Sequence, residues 1–302
     1  VYSSSLSAAA TTSTVSLTEG GIKISVKSKI PEAIVIDLDN LKSAPARLLR
    51  SALGDVLCRT TCQVDWLTSH LLLETFYDET PFALQYEDEK ILLNHSQKIL
   101  TGDEETLAAL SRMTLLNGIA AIIIGSTHAG SMGEHLISHY IDMFMGDEHP
   151  GSLHGEQVGI ATLLLSKMQN DILNSSKTPQ FLEINYDLII FENIFGKDAG
   201  SNLHKQFQNK LFTQKSLTDI NKKLIKNWSD YKKTIIKFAV HTDKIKKSFI
   251  NCGAACTNGD LNIPDDFFQN AVENAYYLRD RFSYLDIMQY LGCIDKYSKN
   301  LI

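Results

Sequence analysis

No apolar run in this chain of 302 residues approaches the ~18 needed to span a membrane; the densest is Ile119-Ala-Ala-Ile-Ile-Ile124, so no membrane span is expected. Cysteine is scarce and odd in number: five in a chain this long cannot form a disulfide framework, which points to a reducing, cytoplasmic compartment. Positive charge is not in excess, and a net charge of -6 gives no reason to expect nucleic acid as a partner. Neither G-x-G-x-x-G nor G-x-x-x-x-G-K-[ST] occurs, so the chain carries no nucleotide-phosphate fingerprint of its own. The first residues lack an initiator Met, a basic start and an apolar h-region. They do not form a signal peptide, and the chain reads as beginning inside something longer.

What is present is a globular composition, 44% apolar and 21% charged, long enough for one large domain or two ordinary ones. Residues 15–26 alternate apolar and polar about Gly20-Gly21, a hairpin signature, and 32–37 reads as a short buried strand. From Asn40 the period turns helical. Three- and four-residue steps of Leu and Val mark 43–70, and helices also suit 90–101, 103–124, 131–145 and 154–173. Residues 175–262 are less regular, and 205–247 hold a dozen lysines against three aspartates. That run reads as the solvated face of two helices, with an anion-binding surface as the alternative. Pro264-Asp-Asp opens a helix running to about Asp280, and Ser283-x-x-Asp286 caps a short final one.

Five of the nine histidines fall between positions 128 and 154. Ser131-x-x-Glu134 fits a capping box, which places His135 and His139 on one helical face, continued by Asp142. A loop at 146–151 then leads to His154, which an antiparallel helix could set opposite His135. Two imidazoles make an incomplete metal site, and spacing alone names no third ligand. Cys58 with Cys62, and Cys252 with Cys256, are one-turn pairs that could serve a soft metal, but small buried residues on helix faces are far commoner.

Four stretches carry a resemblance. They are Gly125-Ser-Thr-His-Ala-Gly-Ser-Met-Gly-Glu-His-Leu-Ile-Ser-His-Tyr-Ile-Asp142 with Leu153-His-Gly155, Ala33-Ile-Val-Ile-Asp-Leu-Asp39, residues 44–57 continuing to Asp65-Trp66, and Leu278-Arg-Asp-Arg-Phe-Ser-Tyr284 onward to Gly292. Together they resemble the sn-glycerol-1-phosphate dehydrogenase family, of the iron-containing alcohol dehydrogenase and dehydroquinate synthase-like superfamily. The resemblance implies a mainly α chain: a β remnant of an α/β nucleotide-binding domain at 1–39, then a helical metal-binding and catalytic domain at 40–302. The segment at about 175–262 is not covered.

The resemblance also implies a metal held by Asp55, His135 and His154, with Zn2+ expected and Ni2+ or Fe2+ as alternatives. It implies His139 as an orienting or proton-relay group, and His128 and Ser131 beside the substrate. NAD or NADP would exchange hydride with a polyol phosphate, interconverting dihydroxyacetone phosphate and sn-glycerol 1-phosphate, in a homodimer or larger homo-oligomer. Three departures stand out. The glycine-rich pyrophosphate turn is missing, the loop 7–11 (Ser-Ala-Ala-Ala-Thr) has no carboxylate, and His128-Ala129 replaces an Arg-Pro pair. Histidine cannot reproduce the bidentate fork of arginine on phosphate, which leaves open a non-phosphorylated polyol. A non-catalytic relative acting as an interaction subunit is the remaining alternative.

Overall fold

The computed structural model describes residues 2–3, 6–7, 11–12, 14–19 and 22–299, which are mainly α-helical after a short β segment. β1 (Tyr2–Ser3) pairs in parallel with β4 (Val35–Ile36). β2 (Thr14–Glu19) and β3 (Ile22–Lys27) form the expected antiparallel hairpin, with Thr14 opposite Lys27 and Glu19 opposite Ile22. Its glycine turn at 20–21 lies outside the described residues, as do the alanines at 8–10. The strand expected over 32–37 is described as two residues, Val35 and Ile36, and Val35 is half exposed rather than buried.

Asp37 caps α1 (Leu38–Lys42) by accepting from the amides of Asp39 and Asn40. The stretch read as one helix over 43–70 is two, α2 (Ala46–Leu57) and α3 (Arg59–Leu73), divided at Cys58. At the junction the Thr60 and Thr61 hydroxyls donate to the carbonyls of Leu57 and Cys58, competing with the helical ladder. α4 (Thr80–His95) begins ten residues before the predicted 90 and ends in a 3-10 turn, Ser96–Thr101. Its first half was hidden because Gln85, Asp88 and Glu89 occupy buried positions where apolar residues were sought.

α5 (Glu104–Ile124) starts at its Asp103 cap, as read from sequence. It is long and apolar enough by composition to cross a bilayer, with half of its apolar window buried inside the fold, against α4 and α2. α6 (Gly133–Phe144) and α7 (His154–Asn174) are the expected antiparallel pair. Beyond them come α8 (Leu188–Phe195), α9 (Lys197–Phe207), α10 (Gln214–Ile235) and α11 (Thr242–Cys252). α10 and α11 turn most of their lysines outward.

Lys210 is the exception: it is buried, with its Nζ 2.7 Å from Asp286. α12 (Asp265–Asn274) stops short of the predicted Asp280, because 275–278 tighten into a 3-10 turn that buries Tyr276 and Tyr277. α13 (Tyr284–Tyr290) carries the predicted Ser283–Asp286 capping box, and α14 (Ile294–Lys299) follows it, so α13 is not the last helix.

One packing contact sets the site. α2 and α7 touch backbone to backbone: a Cβ on Gly54 would lie 2.1 Å from the Gly155 carbonyl oxygen, and a Cβ on Gly155 would lie 2.0 Å from that of Ser51. Only glycine tolerates such approach. Asp55 follows the first glycine and His154 precedes the second, so this contact is what brings their side chains together.

Candidate metal centre

Asp55 of α2, His135 of α6 and His154 of α7 converge. His135 Nε2 lies 3.5 Å and His154 Nε2 3.8 Å from Asp55 Oδ1. One donor atom from each side chain falls within 4.8 Å of the other two. Bonds of ~2.0–2.1 Å to one tetrahedral ion separate donors by roughly 3.4 Å, so a single cation fits the three and keeps a fourth position open.

The outer contacts fix the ring nitrogens. Glu134, fully buried, accepts from His135 Nδ1 at 2.9 Å, from the Met132 amide at 2.7 Å and from the Cys62 thiol at 3.1 Å. Ser138 donates to Gln157 Oε1 at 2.7 Å, so it accepts from His154 Nδ1 at 2.9 Å. Both imidazoles therefore present an Nε2 lone pair toward a carboxylate that offers only lone pairs. Such a meeting of acceptors requires a cation or an added proton between them.

Charge in the cluster follows. Burial pushes the Asp55 carboxyl up, but the hydrogen bond with His135 and the charges of His154 and His135 outweigh it and leave it below its usual value. Burial lowers His135, and its contacts with Asp55, Cys58 and Glu134 reverse this and raise it well above the ordinary value. His154 goes down to about 4, first through loss of surrounding water and then through His135 and Lys23, against Asp55. Its side chain remains 41% exposed, so the cluster has an open mouth.

His139 lies against both of these rings, with centroids 6.1 Å from His135 and 6.0 Å from His154. Burial, then His154, Lys23, His135 and Arg279, hold it well below its usual value, so it is neutral at pH 7. Asp142 continues that helical face but turns to Lys23 of β3 at 2.5 Å, with Gln157 and His149 on its other oxygen.

His128 and Ser131 are placed differently. His128 bonds Ser126 at 2.8 Å, packs 5.6 Å from Trp66 and borders a cavity of about 450 Å³ shared with Arg281. Ser131 is not the expected cap: α6 starts without a side-chain cap, and Glu134, its supposed partner, is spent on His135, Met132 and Cys62. Instead the Ser131 carbonyl accepts from Arg281. Among the described residues no hydrogen bond or ion pair joins His128 or Ser131 to the three-residue cluster.

Cys58 and Cys62 sit 4.0 Å apart, and Cys58 forms a second donor group with Glu134 and His135, sharing the latter. Cys252 and Cys256 join no donor group among the described residues. Sequence reasoning missed Glu134, Ser138 and Gln157 as supports. It also missed Arg47, whose fork grips Glu156 at 2.7 Å and fixes the start of α7. The signal for Arg47 was available only as a charge pair across 109 positions.

No family model matches the chain. Among curated proteins it is similar to glycerol-1-phosphate dehydrogenase [NAD(P)+] of Pyrococcus furiosus, 34% identical over 146 residues, 48% of this chain and 41% of that protein. It is also similar to the enzyme of that name from Halalkalibacterium halodurans, 26% identical over 266 residues, 88% of this chain and 58% of that protein. The chain thus spans about half the length of the curated relatives it matches. Among solved structures, glycerol dehydrogenase from Schizosaccharomyces pombe aligns with 98% of this chain and 62% of its own, at TM-score 0.53 and 17% identity. A 1,3-propanediol oxidoreductase aligns over 98% and 65%, at 0.56 and 15%. These likenesses show a shared fold.

Proposed function

The curated homologues of this chain are glycerol-1-phosphate dehydrogenases, and on that premise we propose that it is the metal-bearing part of an NAD(P)-linked polyol dehydrogenase. The substrate pair is dihydroxyacetone phosphate and sn-glycerol 1-phosphate. The observation that supports the reading is that one donor atom each of Asp55, His135 and His154 lies within 4.8 Å of the other two.

A divalent ion held there, Zn2+ first and Ni2+ or Fe2+ otherwise, supplies Lewis-acid stabilisation of developing alkoxide charge. Asp55, His135 and His154 would hold it, and Glu134 and Ser138 would keep both Nε2 atoms free of protons. His139, neutral and beside the open mouth, would orient the substrate hydroxyl or relay its proton; Arg281 and His128 would border the substrate's far end. The β segment at 1–39 is read as the close of a nucleotide-binding domain that would position the nicotinamide. Five free thiols accord with a reducing, cytoplasmic setting.

The test is NADH and NADPH oxidation with dihydroxyacetone phosphate by the full reading frame encoding this chain, loaded with zinc, nickel or iron. Turnover that His135→Ala abolishes is expected. No turnover with any metal would favour a non-catalytic relative, which the carboxylate-free loop 7–11 motivates. A preference for glycerol over its phosphate would favour a non-phosphorylated polyol, which His128 in place of arginine motivates.

A further inference from the structure

A second cleft, of about 470 Å³, lies between α3, α4 and the turn joining α10 to α11, and shares no lining residue with the metal-site cluster. That volume is in the range of pockets for small ligands. Its floor is Arg59, 4% exposed, paired with Glu89 and donating to the Phe82 carbonyl at 2.8 Å. The Arg59 Nε is buried and has no hydrogen-bond partner among the described residues, so the guanidinium acts on the cleft as positive charge from below.

The rim adds charge. Lys237 and Lys244 line it, and among the described residues neither forms an ion pair, while Lys90 lies 3.9 Å over the Tyr86 ring and is paired with Glu87 at 3.0 Å. The lining therefore holds four cations against two carboxylates, Glu79 and Glu89. Burial raises the Glu89 carboxyl, against the charges of Arg59 and Lys244. Between the charges stand Tyr86, half exposed, and Phe238, partly buried, with Phe82 buried behind them.

From the cavity, the two rim lysines without an ion pair and the accessible Tyr86 and Phe238, we infer that this cleft binds a small organic anion with a flat apolar body. The anionic head sits between Lys237 and Lys244, above the buried charge of Arg59, and the body lies against Tyr86 and Phe238. The cleft shares no lining residue with Asp55, His135 and His154, so the inference does not depend on the dehydrogenase reading.

Isothermal titration of the chain with 2-naphthoate, and with neutral 2-naphthalenemethanol, tests it. Naphthoate is expected to bind at one site, at least tenfold more tightly than the neutral compound. Binding should weaken at least tenfold in the surface variant Lys237→Glu/Lys244→Glu and stay unchanged in His154→Ala. No binding up to millimolar naphthoate, equal affinity in the lysine variant, or loss in His154→Ala would each overturn the site.

Discussion

At the scale of single residues, the account rests on which nitrogen of each imidazole is free. Glu134 and Ser138 decide that, so their removal should loosen a metal without removing a ligand. Glu134→Gln and Ser138→Ala are expected to weaken zinc affinity roughly 10–100-fold, measured by competition with a chromophoric chelator. His128 gives a separate, pH-dependent expectation. Burial, with Arg281 beside it, lowers it from 6.5 to about 4 in the folded chain. The unfolded chain takes up that proton first as pH falls, so this contribution is complete above pH 6.5 and is lost progressively toward pH 4. A melting-temperature profile of His128→Gln should be flatter across that window than that of the native chain. The nearness of His135 to His154 was legible from their spacing together with the family resemblance; the role of Glu134 was not, because the same S-x-x-E pattern that signals a cap also places a carboxylate next to His135.

At the scale of elements, the α2–α7 contact holds the site together. Gly54→Ala gains about 1 kcal/mol of helix propensity, yet its methyl would meet the Gly155 carbonyl at 2.1 Å. The helices must part, so Gly54→Ala and Gly155→Ala are each expected to lower zinc affinity although neither residue touches the ion; unchanged affinity would show that the contact does not position the ligands. Periodicity showed these helices but not their closeness, since a glycine inside a helix announces a short approach only when its partner is known. The same blindness applied to Lys210. Its place in a lysine-rich run suggested solvent, whereas its Nζ is enclosed by Asp286, the Tyr276 carbonyl at 2.5 Å and the Arg281 carbonyl at 3.1 Å. Lys210→Met leaves a buried carboxylate unpaired and should cost ~3–5 kcal/mol in urea denaturation.

At the scale of the whole molecule, α2, α6 and α7 bring Asp55, His135 and His154 together, and Lys23 of the hairpin reaches Asp142 on the same helix as His135. Helix existence over 103–124 and 154–173 was readable because long amphipathic or apolar stretches carry their own caps and periods. The first half of α4 and the division at Cys58 were not, because buried polar residues and threonine back-bonding leave no apolar signature. How α2, α6 and α7 come together was legible only through the family resemblance, as residues 19, 80 and 99 positions apart have no local signal. Titration of the metal-free chain with cobalt(II), followed by visible absorption, tests that convergence most directly. One equivalent should develop the intense bands of a four-coordinate ion, and Asp55→Asn, His135→Ala and His154→Ala should each abolish them. Saturation at one equivalent that survives all three substitutions would contradict the account.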